Sequence, residues 1–470
     1  MRTSSMLIDG QWVDSAARLD VVNPYDGSAV GAVPAGTAEH AKAAHAAAAT
    51  ALRRAPRPSQ AERAEVLERA RAGLLARREE FARCMAEEAG KPLAAARAEV
   101  DRAGDTLLFS AVQARTMAGE VVAMDASASG HGKTAFTILR PRGVAVAITP
   151  FNFPLNLVCH KVAPAFAAGC PVVLKPSEMT PLTAILLAEV FVEAGMPPGY
   201  LNVVTGRPAD LGPDLIGPAA VITFTGSERV GALLAEQNPH VPVLLELGST
   251  APVLVDGTAD VELAAARIAA TAFSYAGQSC ISVQRVLVTR EVHASLVELL
   301  VNRTRALRVG DPLDENTDVG PMINVRERDR VQAWVAEAVD EGAELRAGGQ
   351  VNADGTLQPT VLDYVAPSMR VSCDEVFGPV VGVQAVADMD EAVALANESR
   401  FGLQAGVFTT DHATAMRAAT TLEYGGVLIN ESPTYRADQQ PYGGLRASGN
   451  TREGPAFAVR EYTEETLVVL

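Results

Sequence analysis

The stretch Gly143-Val-Ala-Val-Ala-Ile-Thr-Pro-Phe-Asn-Phe-Pro154 decides the fold. Residues 144–148 form an unbroken apolar run of strand length. A run without polar alternation is expected of a strand covered on both faces, as in a parallel sheet. Two prolines follow and fix a sharp strand-to-helix turn. Residues 155–168 then read as a helix and 171–174 as a second strand. The rhythm continues with a helix over 181–194 and strands at 201–204, 220–224 and 243–247. This alternation predicts a doubly wound, Rossmann-type α/β sheet. A second set of α/β units runs from Ala251 to about Asn430.

Toward the N-terminus, residues 60–90 carry charged and apolar positions at helical spacing and end at Gly90-Lys91-Pro92, a stop signal. Residues 93–117 read as another helix. The texture then changes. Residues 119–124 and 134–139 look like two strands joined by a Ser/Gly/Ala-rich linker over 125–132, and residues 466–470 are also strand-like. A hairpin with so few core residues of its own is expected to pack on another subunit.

At 470 residues the chain is too long for one ordinary core. Its formal net charge of -16 disfavours nucleic acid or anionic lipid as the main partner. The five cysteines, Cys84, Cys159, Cys170, Cys280 and Cys373, are odd in number and widely spaced, with no CxxC pair. Neither a disulfide framework nor a metal site is predicted, and a reducing cytoplasm is the expected compartment. Residues 1–10 lack the apolar run of a signal peptide, and no stretch has the length of a membrane span.

Several residues stand where chemistry is expected. Cys280, in Phe273-Ser-Tyr-Ala-Gly-Gln-Ser-Cys-Ile281, follows a helix read over 261–275 and precedes a strand over 283–289. A thiol in such a loop can be exposed and activated, whereas most cysteines are structural. Glu246 interrupts the apolar strand Val243-Leu-Leu-Glu-Leu-Gly-Ser249. If buried, its pKa rises toward that of a general base; the alternative is a strand-end carboxylate facing solvent. Asn152 offers an amide donor for an oxyanion, or else a helix cap. Lys175 and Glu178, after the next strand, can reach ribose hydroxyls. Ser227, in Phe224-Thr-Gly-Ser-Glu-Arg-Val-Gly231, stands where a strand enters a helix and a pyrophosphate can bind. Glu375 and Phe377 share the turn Asp374-Glu-Val-Phe-Gly-Pro379.

In this order, and together with Asn23-Pro24, Pro441-Tyr-Gly-Gly444 and Ser448-Gly449, these segments resemble the aldehyde dehydrogenase superfamily essentially end to end. The resemblance implies a cofactor domain over 1–118 and 141–247 and a catalytic domain over 248–437. Residues 119–140 and 438–470 would form an oligomerisation hairpin and C-terminal strand. It implies that Cys280 attacks an aldehyde, that Asn152 and the Cys280 backbone N–H hold the oxyanion, that hydride leaves to a nicotinamide, and that Glu246 activates the water that hydrolyses the thioester. The cofactor site would comprise Thr149, Pro150, Phe151, Lys175, Pro176, Ser177, Glu178, Gly206, Phe224, Thr225, Gly226, Ser227, Leu247, Gly248, Glu375 and Phe377. Because Glu178 would repel a 2′-phosphate, NAD is expected over NADP. A homodimer or homotetramer is expected.

Three positions depart from the common pattern: Phe151 replaces a tryptophan, Ser249 replaces a glycine, and the C-terminal segment reads Ser448-Gly-Asn-Thr-Arg-Glu-Gly-Pro455. The first and third, with Gly277-Gln-Ser-Cys-Ile-Ser-Val-Gln284, are similar to the lactaldehyde and phosphonoacetaldehyde dehydrogenase-like branch. Arg102, His160, Ser279 and Arg436 match substrate-tunnel positions. Two guanidiniums there would suit a phosphonate, phosphate, sulfonate or carboxylate, although both could instead make structural ion pairs, Arg102 with Glu99 or Asp105. Relatives that clamp anionic substrates often place an arginine where this chain has Ser279, so a neutral hydroxyaldehyde such as lactaldehyde is the alternative. Glu246 favours hydrolysis over transfer to CoA, since CoA-acylating relatives usually lack this residue. With Cys280 and Asn152 it argues against a catalytically silent scaffold on the same fold.

Overall fold

The computed structural model describes residues 2–470. Seven strands build the first sheet: β1 (Met6–Ile8), β2 (Gln11–Val13), β3 (Ala145–Ile148), β4 (Val172–Lys175), β5 (Leu201–Val203), β6 (Val221–Thr225) and β7 (Val243–Glu246), in the order β7-β6-β3-β4-β5-β1-β2. The unbroken apolar runs are explained by two-sided burial. Ala145, Ala147, Val172 and Leu174 enter one core, beneath the helices Gln60–Ala76, Leu93–Thr116 and Asn156–Ala168, while Val146 and Val173 enter a second core on the opposite face. Successive strand residues point to opposite faces, so a strand with a core on each side takes a polar side chain only where it finds a buried partner, as Asn202 does with the Gly199 carbonyl and Thr223 with Lys161.

From β3 the chain builds outward through β4 and β5, then returns to place β6 and β7 on the other side of β3. The crevice of such a sheet opens where the direction reverses, at the carboxyl ends of the strands. Register sets those ends level. Ile148 pairs with both Lys175 and Phe224, and Thr225 pairs with Glu246. The second sheet contains β8 (Pro252–Val255), β9 (Arg285–Thr289), β10 (Glu344–Ala347), β11 (Thr360–Asp363), β12 (Val380–Val386), β13 (Gln404–Phe408) and β14 (Gly426–Ile429), in the order β10-β11-β12-β9-β8-β13-β14.

The third sheet joins Val121–Val122, Ala135–Pro141 and Thr463–Val469, all antiparallel. The two strand-like segments flanking the Ser/Gly/Ala linker and the C-terminal strand therefore form one unit. The first strand is shorter than its sequence implies, because Glu120 gives its N–H to the Thr137 hydroxyl at 2.8 Å instead of to a backbone partner. Residues 438–453 do not stay with this sheet. They return to the first, where Glu246 bridges Gly449 and the Leu247 N–H donates to the Ser448 carbonyl at 3.0 Å.

Two helix readings need correction. Residues 60–90 are two helices, Gln60–Ala76 and Arg78–Ala89, parted at Arg77, whose guanidinium reaches Glu80 at 2.8 Å and Glu189 at 2.9 Å. The apolar spacing reads through the break because both helices face the same core. The helix before Cys280 stops at Ala272, not at residue 275. Tyr275 and Ala276 take left-handed backbone conformations, φ 50° and 52°, and the Tyr275 hydroxyl donates to the Ala89 carbonyl at 2.7 Å. This buried hydrogen bond holds a conformation that side-chain-bearing residues rarely adopt.

A buried ion pair sets the entrance to the site. Glu99 and Lys91 are 1 % exposed and in contact. Glu99 also accepts the N–H groups of Leu155 and Asn156, both at 3.0 Å, at the start of the helix Asn156–Ala168. A carboxylate borrowed from another helix thus satisfies the donors exposed at this N-terminus. The Lys91 ammonium lies 3.9 Å from the Phe153 ring centre and 4.7 Å from that of Tyr275, touching both loops that frame the cysteine. Lys91→Met should cost about 3–5 kcal/mol by stranding Glu99, read as a fall in the thermal unfolding midpoint. Lys91→Met/Glu99→Gln should recover part of that fall, and a double variant less stable than the single one would contradict this account.

Candidate active site

Asn152 is buried in the turn after β3. Its amide nitrogen donates to the Gln278 carbonyl at 2.9 Å, and its oxygen accepts the Phe153 N–H at 3.1 Å. It does not cap the next helix, a task that falls to Glu99. Gln278 is itself anchored, its oxygen accepting the Ile323 N–H at 2.8 Å. The amide of Asn152 is therefore tied to the loop that carries Cys280, two residues on.

Cys280 is partly exposed, and its Sγ lies 2.9 Å from the hydroxyl of Tyr442. That hydroxyl donates to Glu246 Oε1 at 3.2 Å. Glu246 is the last residue of β7 and is 1 % exposed, so it does not face solvent. Its second oxygen has no hydrogen-bond partner among the described residues. Burial, reinforced by the charge of Glu453, pushes Glu246 up to about 8. Glu453 moves the opposite way. Burial opposes its ionisation, but Lys161, 3.3 Å away, and Arg436, 3.0 Å away, outweigh it and hold Glu453 down at about 2. Two neighbouring buried carboxyls thus carry one charge near neutrality, and it sits on Glu453. Burial and the neighbouring Glu246 also push the Cys280 thiol well above its ordinary range.

The positions suited to a dinucleotide gather on one sheet edge. Thr149, Pro150 and Phe151 follow β3; Lys175, Pro176, Ser177 and Glu178 follow β4 from its last residue; Gly206 follows β5; Phe224, Thr225, Gly226 and Ser227 lie at the end of β6; Leu247 and Gly248 follow β7. Lys175 and Glu178 form an ion pair at 2.8 Å. Two hydroxyls in this row, of Thr149 and Thr225, are buried without a partner among the described residues. Exposed Ser227 precedes the helix Glu228–Gln237 and makes no side-chain cap, leaving that N-terminus open to an anion. Glu375 comes from the second sheet's side and accepts the Ser249 N–H at 2.9 Å. Its carboxylate occupies the space a side chain on residue 248 would need, which explains Gly248. Desolvation pushes Glu375 up to about 7. Phe377, with φ 48°, packs edge-on against Phe151 at 5.9 Å. Unpaired hydroxyls, an open helix start and an acid–lysine pair fit a nicotinamide dinucleotide.

Two of the substrate candidates, Arg102 and His160, meet at Asp438, a residue the sequence reading did not single out. Arg102 grips it through two nitrogens at 3.1 and 3.0 Å, replacing the expected partners Glu99 and Asp105. His160 Nε2 lies 2.9 Å from Asp438 Oδ1 and 2.9 Å from an Arg436 nitrogen. The Arg436 guanidinium stands 3.8 Å over the Tyr442 ring. Ser279 is buried beside Cys280. Lys161, Tyr442 and Glu453 were also missed. Tyr442 and Glu453 lie in quoted motifs, but nothing in their local pattern signals contact with Cys280 and Glu246, 162 and 196 positions from Tyr442, or with Lys161, 292 positions from Glu453.

A model of the aldehyde dehydrogenase family matches residues 12–468, and the chain belongs to that family. It is an NAD(P)-dependent aldehyde dehydrogenase, with the mixed α/β fold of that group. It is 44 % identical over 468 residues to a 3-sulfolactaldehyde dehydrogenase of Priestia aryabhattai, covering 99 % of this chain and 97 % of the relative. It is 36 % identical over 471 residues to a lactaldehyde dehydrogenase of Methanococcus vannielii, covering 99 % of each. The crystal structure of an NAD-dependent aldehyde dehydrogenase from Sinorhizobium meliloti superimposes with a TM-score of 0.96 at 37 % identity, covering 100 % of this chain and 95 % of that one.

The burial of Glu246 has a consequence for stability. Its folded pKa, about 8, lies above the ordinary 4.5, so the fold favours the neutral form. Stability from this group is complete below pH 4.5 and is lost as pH rises through about 8. Glu246→Gln should therefore gain thermal midpoint over the parent increasingly between pH 5 and 8, then level off. A difference independent of pH would refute the assignment.

Proposed function

We propose that this enzyme oxidises a small aldehyde bearing an anionic group to the carboxylic acid through a thioester on Cys280. The observation that carries the reading is the unbroken contact from Cys280 through Tyr442 to Glu246 at the dinucleotide edge of the sheet. Cys280 attacks the carbonyl carbon, and the Asn152 amide and the Cys280 N–H receive the oxyanion. A nicotinamide, when bound, supplies the hydride acceptor. Glu246 then takes a proton from the water that cleaves the thioester. Its unpartnered Oε2 is the free acceptor for that water. Glu246→Gln should still form one equivalent of NADH per site, more slowly than the parent, followed by still slower turnover, and Cys280→Ala should abolish both. That first equivalent lost in Glu246→Gln, or steady NADH formation by Cys280→Ala, would sink this scheme.

The anionic group is supported by Arg102 and Arg436 and by the 44 % identical relative named for a sulfonated aldehyde. A second reading, a neutral hydroxyaldehyde, is favoured by the pairing of both guanidiniums with Asp438 and Glu453, which leaves neither cation uncompensated. Arg102 is the cleaner probe because its side chain is 29 % exposed, whereas that of Arg436 is 6 % exposed. A hydrogen bond to a charged group contributes about 1.5–3 kcal/mol. Arg102→Gln should raise KM for sulfolactaldehyde or succinic semialdehyde tenfold or more, on the order of that contribution, and leave KM for propanal and lactaldehyde nearly unchanged. Equal effects would favour the neutral substrate.

NAD is the proposed cofactor. Glu178 stands beside Lys175 at the ribose end and would repel a 2′-phosphate. Glu178→Ser should raise kcat/KM for NADP relative to NAD by roughly tenfold, as removal of a like charge predicts; an unchanged ratio would place the discrimination elsewhere. The third sheet exposes Val121 on one outer strand and Leu467 and Val469 on the other, apolar positions suited to a homodimer or a dimer of dimers. Five free cysteines favour a reducing cytoplasm. No helix among the described residues is long and apolar enough to cross a membrane.

A further inference from the structure

We propose that the Tyr442 hydroxyl relays the proton from the Cys280 thiol to the Glu246 carboxylate, which makes Tyr442 a catalytic residue in forming the nucleophile. This inference rests on the reading of Cys280 as nucleophile and Glu246 as base. The geometry carries it. The hydroxyl oxygen lies 2.9 Å from Cys280 Sγ and 3.2 Å from Glu246 Oε1. Nothing about the position is loose. Tyr442 is 1 % exposed and packs with Ile281 and Leu403 beside Cys280. Its backbone exchanges two hydrogen bonds with Glu453, at 3.0 and 2.6 Å. The Arg436 guanidinium stacks over the ring at 3.8 Å, where it stabilises negative charge passing through the phenol.

A tyrosine hydroxyl owns one proton and can also accept. In the fraction of molecules whose Glu246 is ionised, which grows as pH approaches 8, the tyrosine proton points to Glu246 Oε1 and the proton of the neutral thiol points to the tyrosine oxygen. In the relay the S–H bond breaks and its proton joins the tyrosine oxygen, while the original tyrosine proton joins Glu246. The products are a thiolate, an intact tyrosine hydroxyl now donating to that thiolate, and a protonated Glu246, which releases its proton to solvent before it accepts one from the hydrolytic water. Within the relay the number of protons and the net charge are unchanged, and both hydrogen bonds persist with their direction reversed. Arg436 and Glu375 also act on the thiol, and Glu453, Lys161 and Arg436 act on Glu246. These charges set the equilibrium together with the Tyr442 hydrogen bond, which favours the thiolate, and Tyr442 also supplies the path. A phenylalanine at residue 442 would fill the same space and keep the stacking, but leave Glu246 Oε1 without the donor that now satisfies it.

The test is alkylation of the full-length enzyme by iodoacetamide, without cofactor or aldehyde, between pH 6 and 10, with Cys280 labelling followed by mass. Tyr442→Phe should lower the labelling rate at pH 8 by on the order of 100-fold, the lower range for acid–base assistance, and displace the profile to higher pH. In a Glu246→Gln background, where the relay has no terminus, Tyr442→Phe should add little. A wild-type rate in Tyr442→Phe, or an equal fall in both backgrounds, overturns the relay. Site-specific 3-fluorotyrosine at residue 442 preserves shape and makes the hydroxyl more acidic. It should shift the profile, and an unchanged profile likewise overturns the proposal. NADH formation by Cys280→Ala would instead break the underlying assignment of the nucleophile.

Discussion

The site depends on burying two carboxyls, Glu246 and Glu453, in one cluster while ionising only one. Removing a charge from water is costly, and two like charges side by side compound that cost. Lys161 and Arg436 resolve the conflict by lying against Glu453, so that this carboxylate keeps its charge and Glu246 carries a proton near neutrality. A base with a pKa near the working pH is the outcome, obtained from burial and neighbours alone. Were the cations placed against Glu246 instead, it would be a permanently ionised structural group with little affinity for a proton.

That arrangement is possible because distant chain segments meet at one strand end. β7 delivers Glu246, the helix Asn156–Ala168 delivers Lys161, and residues 436–453 arrive from beyond the second sheet. The bridge between Glu246 and Gly449 and the hydrogen bonds from the Leu247 N–H to the Ser448 carbonyl and from the Asn450 N–H to the Leu245 carbonyl fix its course. Gly449, at φ 130°, is required there, since a side chain would collide with the Leu245 carbonyl. The same crossing brings Tyr442 to Cys280 and Asp438 to Arg102 and His160, so Glu246, Cys280 and Arg102 share one support.

Pairing also changes how the basic residues are read. Counted from sequence, Arg102 and Arg436 are two cations facing a small aldehyde. In three dimensions each has a carboxylate partner, and Arg436 divides its surface between Glu453, His160 and the face of Tyr442. An anion entering here meets a compensated network, and its recognition depends on geometry and hydrogen-bond donors more than on net charge.

The first sheet was legible in sequence because a strand buried on both faces is mostly apolar, so 144–148, 171–174 and 220–224 declare themselves without knowledge of their neighbours. Glu246 stood out for the same reason, as a polar group interrupting an apolar strand, and Asn152 as an amide in a turn fixed by two prolines. Breaks held by long-range contacts did not show. The end of the helix at Ala272 depends on a hydrogen bond from Tyr275 to Ala89, and the parting at Arg77 leaves the apolar spacing intact. Tyr442, Glu453, Lys161 and Asp438 have unremarkable local surroundings; their roles come from partners far away in sequence. Sequence by itself determined strand burial, turn chemistry and the exceptional polar positions, since these are local consequences of side-chain type. Tertiary structure alone decided which charges are paired and which carboxyl keeps its proton, because electrostatic energy depends on distance through space and on exclusion of water, and neither is a property of neighbouring residues along the chain.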